Sequence, residues 1–135
     1  MRIAWAIPCK YLEVHDGVGT LVGAGANHYV VNEFPASLNV WVALQVYGHR
    51  SEVETDHGIV IQPLGPDMEP CAAPLDMRFG FPAERKPNEP DGWEVGALIP
   101  SLIQFVAEEE GTYTLALNVD DKAATIPLYV RGDHE

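Results

Sequence analysis

An all-β chain folded as an antiparallel β-sandwich is the architecture that this 135-residue sequence predicts. Three observations carry the prediction. From Gly111 onward Tyr113, Leu115, Leu117 and Val119 alternate with Thr112, Thr114, Ala116 and Asn118, so a strand here turns one apolar face inward. After a break at Asp120-Asp121-Lys122 the alternation resumes with Ala124, Ile126, Leu128 and Val130, as in a hairpin folded back on itself. Upstream, Asp16-Gly17 stands between two short apolar runs and readily supplies the positive φ angles of a second tight hairpin.

Taken in order, Ile3 to Ile7 is a short apolar run ended by Pro8, which fits a buried strand or an edge strand. Tyr11 to His15 and Val18 to Val22 flank the Asp16-Gly17 turn, and Gly23-Ala-Gly25 then marks a bulge, a bend or a crossing to another sheet. Leu38 to Tyr47 is the longest β-favouring run and reads as a central strand. Leu38, Val40, Val42, Leu44 and Val46 share one face, while Trp41, Ala43 and Tyr47 make the opposite face only partly polar. Gly48 to Ser51 is a turn, and Val53 to Leu64 continues the β pattern with an interruption at Gly58. Pro63 to Pro74 reads as an irregular connection rich in proline. Leu75, Met77, Phe79 and Phe81 alternate with polar residues and glycine, as in a half-buried strand. Ala83 to Asp91, charged and proline-containing, is expected to be an exposed, mobile loop. Trp93 to Val106 carries Pro100 and β-branched residues, which favour a strand over a helix.

Seven to nine short strands with single apolar faces are satisfied by two sheets packed face to face in one domain spanning 1–135. The strand pattern suits an immunoglobulin-like sandwich, with a jelly roll or a small β-barrel as the alternative.

Twenty acidic residues against eight basic ones give a formal net charge of -12, which repels phosphate backbones and anionic lipid. No nucleic-acid or membrane partner is therefore expected. The apolar opening is cut short by Pro8 and Lys10, and no run approaches the roughly 18 residues of a membrane span, so a cytoplasmic location is expected. Cys9 and Cys71 have no metal-ligand spacing; reduced thiols are the default, and a bridge between them is a question of geometry.

No motif assigns a catalytic residue or a cofactor. Ser37, Ser51 and Ser101 lack a nucleophile elbow, and Gly23-Ala-Gly25 does not continue into a phosphate-binding loop. The histidines His15, His28, His49, His57 and His134 form no HxH or HxxxH pair. His15, Asp16, His49 and His57 all lie beside expected turns, and with Asp120 and Asp121 they are the candidates for a metal site; solvent-facing turn residues are the simpler account.

Among the aromatics Trp5, Trp41, Trp93, Tyr29, Tyr47 and Tyr129, most are expected in the core, while Trp41, Tyr47 and Tyr129 are the interface candidates. Because Trp41 and Tyr47 lie opposite the main apolar face of their strand, a second layer or a partner must cover them, which motivates a homodimer. The expected function is a non-enzymatic binding or assembly module acting through an aromatic-bearing sheet face or end loops. The alternative is a small metal-binding protein or hydrolytic enzyme built on loop His and Asp residues.

The Gly-rich hairpin from Leu12 through Gly25, the Gly111-Thr-Tyr113 strand start and the last strand Ile126-Pro-Leu-Tyr-Val130 together resemble an uncharacterised bacterial family of immunoglobulin-like β-sandwich proteins, a domain of unknown function. The resemblance implies the fold and no catalytic residue. Within the closing hairpin, Tyr113 is expected to lock a sandwich corner.

Overall fold

The computed structural model describes residues 1–52, 55–81, 88–90 and 92–133. In chain order its strands are β1 (Arg2–Cys9), β2 (Tyr11–His15), β3 (Val18–Val22), β4 (His28–Val31), β5 (Ala36–Gly48), β6 (His57–Leu64), β7 (Leu75–Phe79), β8 (Val95–Ala107), β9 (Gly111–Val119) and β10 (Lys122–Gly132), with one 3-10 turn at Arg50–Glu52. They form three sheets: β1-β5-β8, β4-β10-β9-β6-β7 and the hairpin β2-β3.

Both large sheets obey the alternation of their sequences. On β5 the residues Leu38, Val40, Val42, Leu44 and Val46 are buried, and on β9 Tyr113, Leu115, Leu117 and Val119 are buried. These two rows belong to one core that also takes Ile59 and Ile61 from β6, Ile103 and Phe105 from β8 and Leu128 from β10. The three-stranded and five-stranded sheets thus bury their apolar faces on each other, which is what single-faced strands require.

The other face of β5 has its own cover. Ala43 is fully buried in a second cluster with Cys9 and Leu12, and Val14, Leu21, Trp41 and Leu98 pack around them. The β2-β3 hairpin therefore lies over the outer face of the three-stranded sheet. Asp16 and Gly17 at its tip have φ of 50° and 75°, as a two-residue turn needs. Its approach to β8 is close: a Cβ on Gly19 would stand 2.4 Å from Leu98 Cδ2.

Prolines inside strands turn their missing N–H away from a ladder. Pro127 O accepts from Asn27 Nδ2 and Pro63 O from Cys71 N, so neither proline takes a donor from β9. Tyr113 Oη donates to Glu109 O at 2.7 Å and accepts from Glu109 N at 3.3 Å, tying the start of β9 to the backbone four residues upstream.

Four expectations need correction. The sheets are not all antiparallel: β4 runs parallel to β10, with Tyr129 beside His28 and Gly132 beside Val31. The cause is the crossing at Gly23 and Gly25, whose φ of 66° and 85° carry the chain out of the hairpin layer and into the other sheet. The final turn is tighter than the break suggested, because Lys122 already pairs with Val119 and only Asp120 and Asp121 lie between. Asp120 takes φ 51°, a left-handed geometry that Asp tolerates better than most residues. β7 stops at Phe79, and Phe81 is buried beyond its end.

Lastly, the aromatics are not mostly core. Trp5, Trp93 and Tyr129 are 37%, 62% and 42% exposed, and Trp41, Tyr47 and Tyr29 are half-buried, since aliphatic side chains fill most of the space between the sheets. Residues 53–54, where a strand was expected to begin, residues 83–87 and 91 of the expected loop, and His134 lie outside the described residues.

Candidate functional site

An exposed aromatic site is made by β4 and β10. Tyr129 N donates to Asn27 O at 2.8 Å, which starts the parallel pairing and sets Tyr129 beside His28 on the outer face of the five-stranded sheet. The rings stack with centroids 5.0 Å apart and planes at 29°. A groove of about 200 Å³ opens along them, bordered by Glu110, Gly111, Thr112 and Arg131. Glu110 is fixed at its end by Gly132 N, which donates to Oε1 at 2.9 Å. The site thus offers an aromatic wall with a carboxylate, a hydroxyl and a guanidinium at its margins.

The end-loop candidates divide. His57 and Asp120 come together: His57 Nδ1 is 2.7 Å from Asp120 Oδ2, and Gly58 N donates to Oδ1 at 3.0 Å. The antiparallel register Ile59 to Val119 between β6 and β9 makes this possible, since it places the start of β6 beside the β9-β10 turn. Asp120 N donates in return to Gly58 O at 3.0 Å. The His57 hydrogen bond, and then that of Gly58 N–H, hold the Asp120 carboxyl below its ordinary pKa. The imidazole packs against Phe79 and Phe81, at 5.2 and 5.3 Å between centroids, and His57 is only 3% exposed.

The remaining candidates are not drawn into this pair. His15 and Asp16 are exposed at the β2-β3 tip, where His15 Nε2 lies 4.0 Å from Glu13 Oε2. His49 follows β5 and Asp121 occupies the β9-β10 turn, both exposed. Among the described residues no three His, Cys, Asp or Glu side chains gather as a metal-ion site.

Two of the three interface candidates are covered within the chain. Trp41 meets the Tyr11 ring edge-on at 6.1 Å, and Tyr47 lies under the Arg2 guanidinium at 4.8 Å. Arg2 is itself held by Glu94 through bonds of 3.1 and 2.9 Å. The need for a second layer over β5 is therefore answered in part by the hairpin and the N-terminal strand. Tyr129 alone of the three keeps an open ring face in a groove. Cys9 and Cys71 are free thiols, and burial pushes the pKa of each up.

A second groove, of about 220 Å³, lies beside Tyr113 and carries Asp67, Glu69, Glu108 and Glu109 on its rim. Sequence reasoning did not single out His28, Glu110 or Arg131. The signal available was weak, because β4 is only four residues long and its partner is a hundred residues away.

The fold and its sites define an all-β protein of three sheets with an aromatic-walled surface groove. The chain belongs to the family of unknown function DUF6941, which matches residues 4–131. No curated protein and no solved structure matches it.

Proposed function

We propose that this protein is a non-enzymatic binding module of the immunoglobulin-like sandwich type whose site is the His28–Tyr129 groove. The observation that carries the reading is the stacked, open-faced ring pair at a groove with polar margins. An aromatic plane satisfies the apolar face of a ring, while the polar residues Thr112 and Arg131, with Glu110 held by Gly132 N–H, border the groove as hydrogen-bonding types. That combination suits a saccharide. The immunoglobulin-like assignment is supported by two sheets sharing a core and by the Tyr113 hydroxyl bonded to the backbone of Glu109.

A hydrolytic role for His57 and Asp120 has less support, since the imidazole is 3% exposed and enclosed by Phe79 and Phe81. Cytoplasmic residence belongs to the same reading, and the free thiols Cys9 and Cys71 fit a reducing compartment.

The reading is tested by titrating mono- and oligosaccharides to millimolar concentration while following backbone amide shifts. The expected result is a cluster of shifts at residues 28, 110–112 and 129–131, with affinity reduced about tenfold or more in Tyr129→Ala. A panel that moves no amide in this cluster, or binding that Tyr129→Ala leaves intact, refutes it.

A further inference from the structure

We propose that two copies of this chain pair antiparallel through the free edge of β8, joining their three-stranded sheets into one continuous sheet. The inference starts from a contrast among the four edge strands of the two large sheets, β1, β8, β4 and β7. β1 is irregular between Ile3 and Trp5 and carries Arg2 and Pro8. β4 has four residues, and β7 has five, with Asp76 and Arg78 among them. Shortness, charge, proline and irregularity are the usual means by which an edge avoids pairing. β8 has thirteen residues, Val-Gly-Ala-Leu-Ile-Pro-Ser-Leu-Ile-Gln-Phe-Val-Ala, and no charge at all. In a chain of net charge -12 the longest edge strand is neutral from end to end.

The direction of its backbone groups follows from the register. Pro8 O accepts from Gly25 N at 2.7 Å, so Pro8 turns its backbone away from β5. Pro8 is opposite Val42, and Val42 is opposite Ser101, so Val42 and Ser101 face each other across the β5-β8 ladder. Their alternation sends the N and C=O of Pro100, Leu102, Gln104 and Val106 to the open side. Pro100 therefore removes nothing from the ladder with β5, and the stretch from Leu102 to Ala107 presents an uninterrupted set of donors and acceptors. No strand pairs with that side among the described residues. Leu102 and Val106 project from the same face and are 36% and 43% exposed.

The long uncharged edge, self-complementary when antiparallel, admits a second copy of this chain, and charge sets its orientation. Two copies repel overall, so they can meet only where like charges are not opposed. A seam centred on Gln104 sets Leu102 of one copy opposite Val106 of the other. The acidic tract Glu108 to Glu110 of each copy then runs past Pro100 and toward Leu98 of its partner, at opposite ends of the seam. A parallel seam would lay the two tracts side by side within a Debye length of about 8 Å. The antiparallel arrangement is isologous: one contact uses both free edges and closes the assembly. It lies on the other sheet from the His28–Tyr129 groove, so either reading can fail while the other stands.

Sedimentation velocity and light scattering on the full chain, from low micromolar to submillimolar concentration, test the pairing. The expected result is a monomer–dimer equilibrium shifted at least about tenfold toward monomer by Gln104→Pro. That residue's N–H faces solvent in the monomer, so the fold keeps its own ladder. Leu102→Glu, which sets a carboxylate opposite the partner's Val106 and the Asp67, Glu69, Glu108 and Glu109 carboxylates grouped around it without touching the backbone, should act in the same direction. Tyr129→Ala should leave the dimer unchanged. A wild-type chain that is monomeric throughout, or a dimer that both β8 variants leave intact, overturns the proposal.

Discussion

Asp120 shows how one side chain is fixed from two directions. Its backbone takes the left-handed φ of 51° that the two-residue turn needs, and its carboxylate reaches His57 at the start of β6. Both residues stood out in the sequence, as turn residues. Their pairing did not, because they are 63 positions apart and meet only through the β6-β9 register. The pH consequence has a definite sign. An unfolded Asp titrates near about 3.9, and the folded Asp120 is held below its ordinary value by His57 and Gly58. Its stabilisation is therefore complete above the unfolded pKa and is lost as pH falls through the folded one. Asn at this position keeps the left-handed turn but removes the charge. Urea midpoints of wild type should fall more steeply than those of Asp120→Asn as pH is lowered from 5 through the carboxylate range. Parallel curves for the two proteins are the contrary result.

At the scale of elements, what could be read depended on whether a strand and its partner are adjacent in sequence. The β2-β3 and β9-β10 hairpins were legible because Asp16-Gly17 and Asp120-Asp121 join runs that pair directly. β4 was not, because four residues carry too little period and its parallel partner is the last strand. The destination of β2-β3 was also hidden. Leu12 points inward in a pattern that could serve any sheet, and only the folded chain shows it against Cys9 and Ala43 on the outer face of β5. The layer is separate from the main core, so it should open separately. Leu12→Ala, at a site 4% exposed, removes a buried side chain from this thin layer and should cost about 2–4 kcal/mol. Hydrogen exchange should then lose protection first in Tyr11 to Val22, while Val40 and Leu115 stay protected. Uniform loss across both regions would mean that hairpin and core open as one unit.

The molecule as a whole carries twenty acidic residues and eight basic ones, so its long-range electrostatics oppose the compact state. Local pairs work the other way. Arg2 with Glu94 is solvent-exposed, with side-chain exposures of 57% and 33%, and such pairs contribute little and weaken with salt. Arg50 with Glu89 is better buried and screened less. The larger effect of salt should therefore be relief of repulsion. Going from about 0.01 M to about 0.15 M shortens the Debye length from about 30 Å to about 8 Å, which removes most cross-molecule repulsion while leaving contact pairs largely in place. The melting temperature in sodium chloride should accordingly rise by a few degrees over this range, at one fixed protein concentration so that association does not contribute. The rise should saturate once the screening length falls below the spacing of neighbouring carboxylates. A melting temperature that falls with salt would show that attractive pairs, not the net charge, dominate the electrostatic free energy of folding.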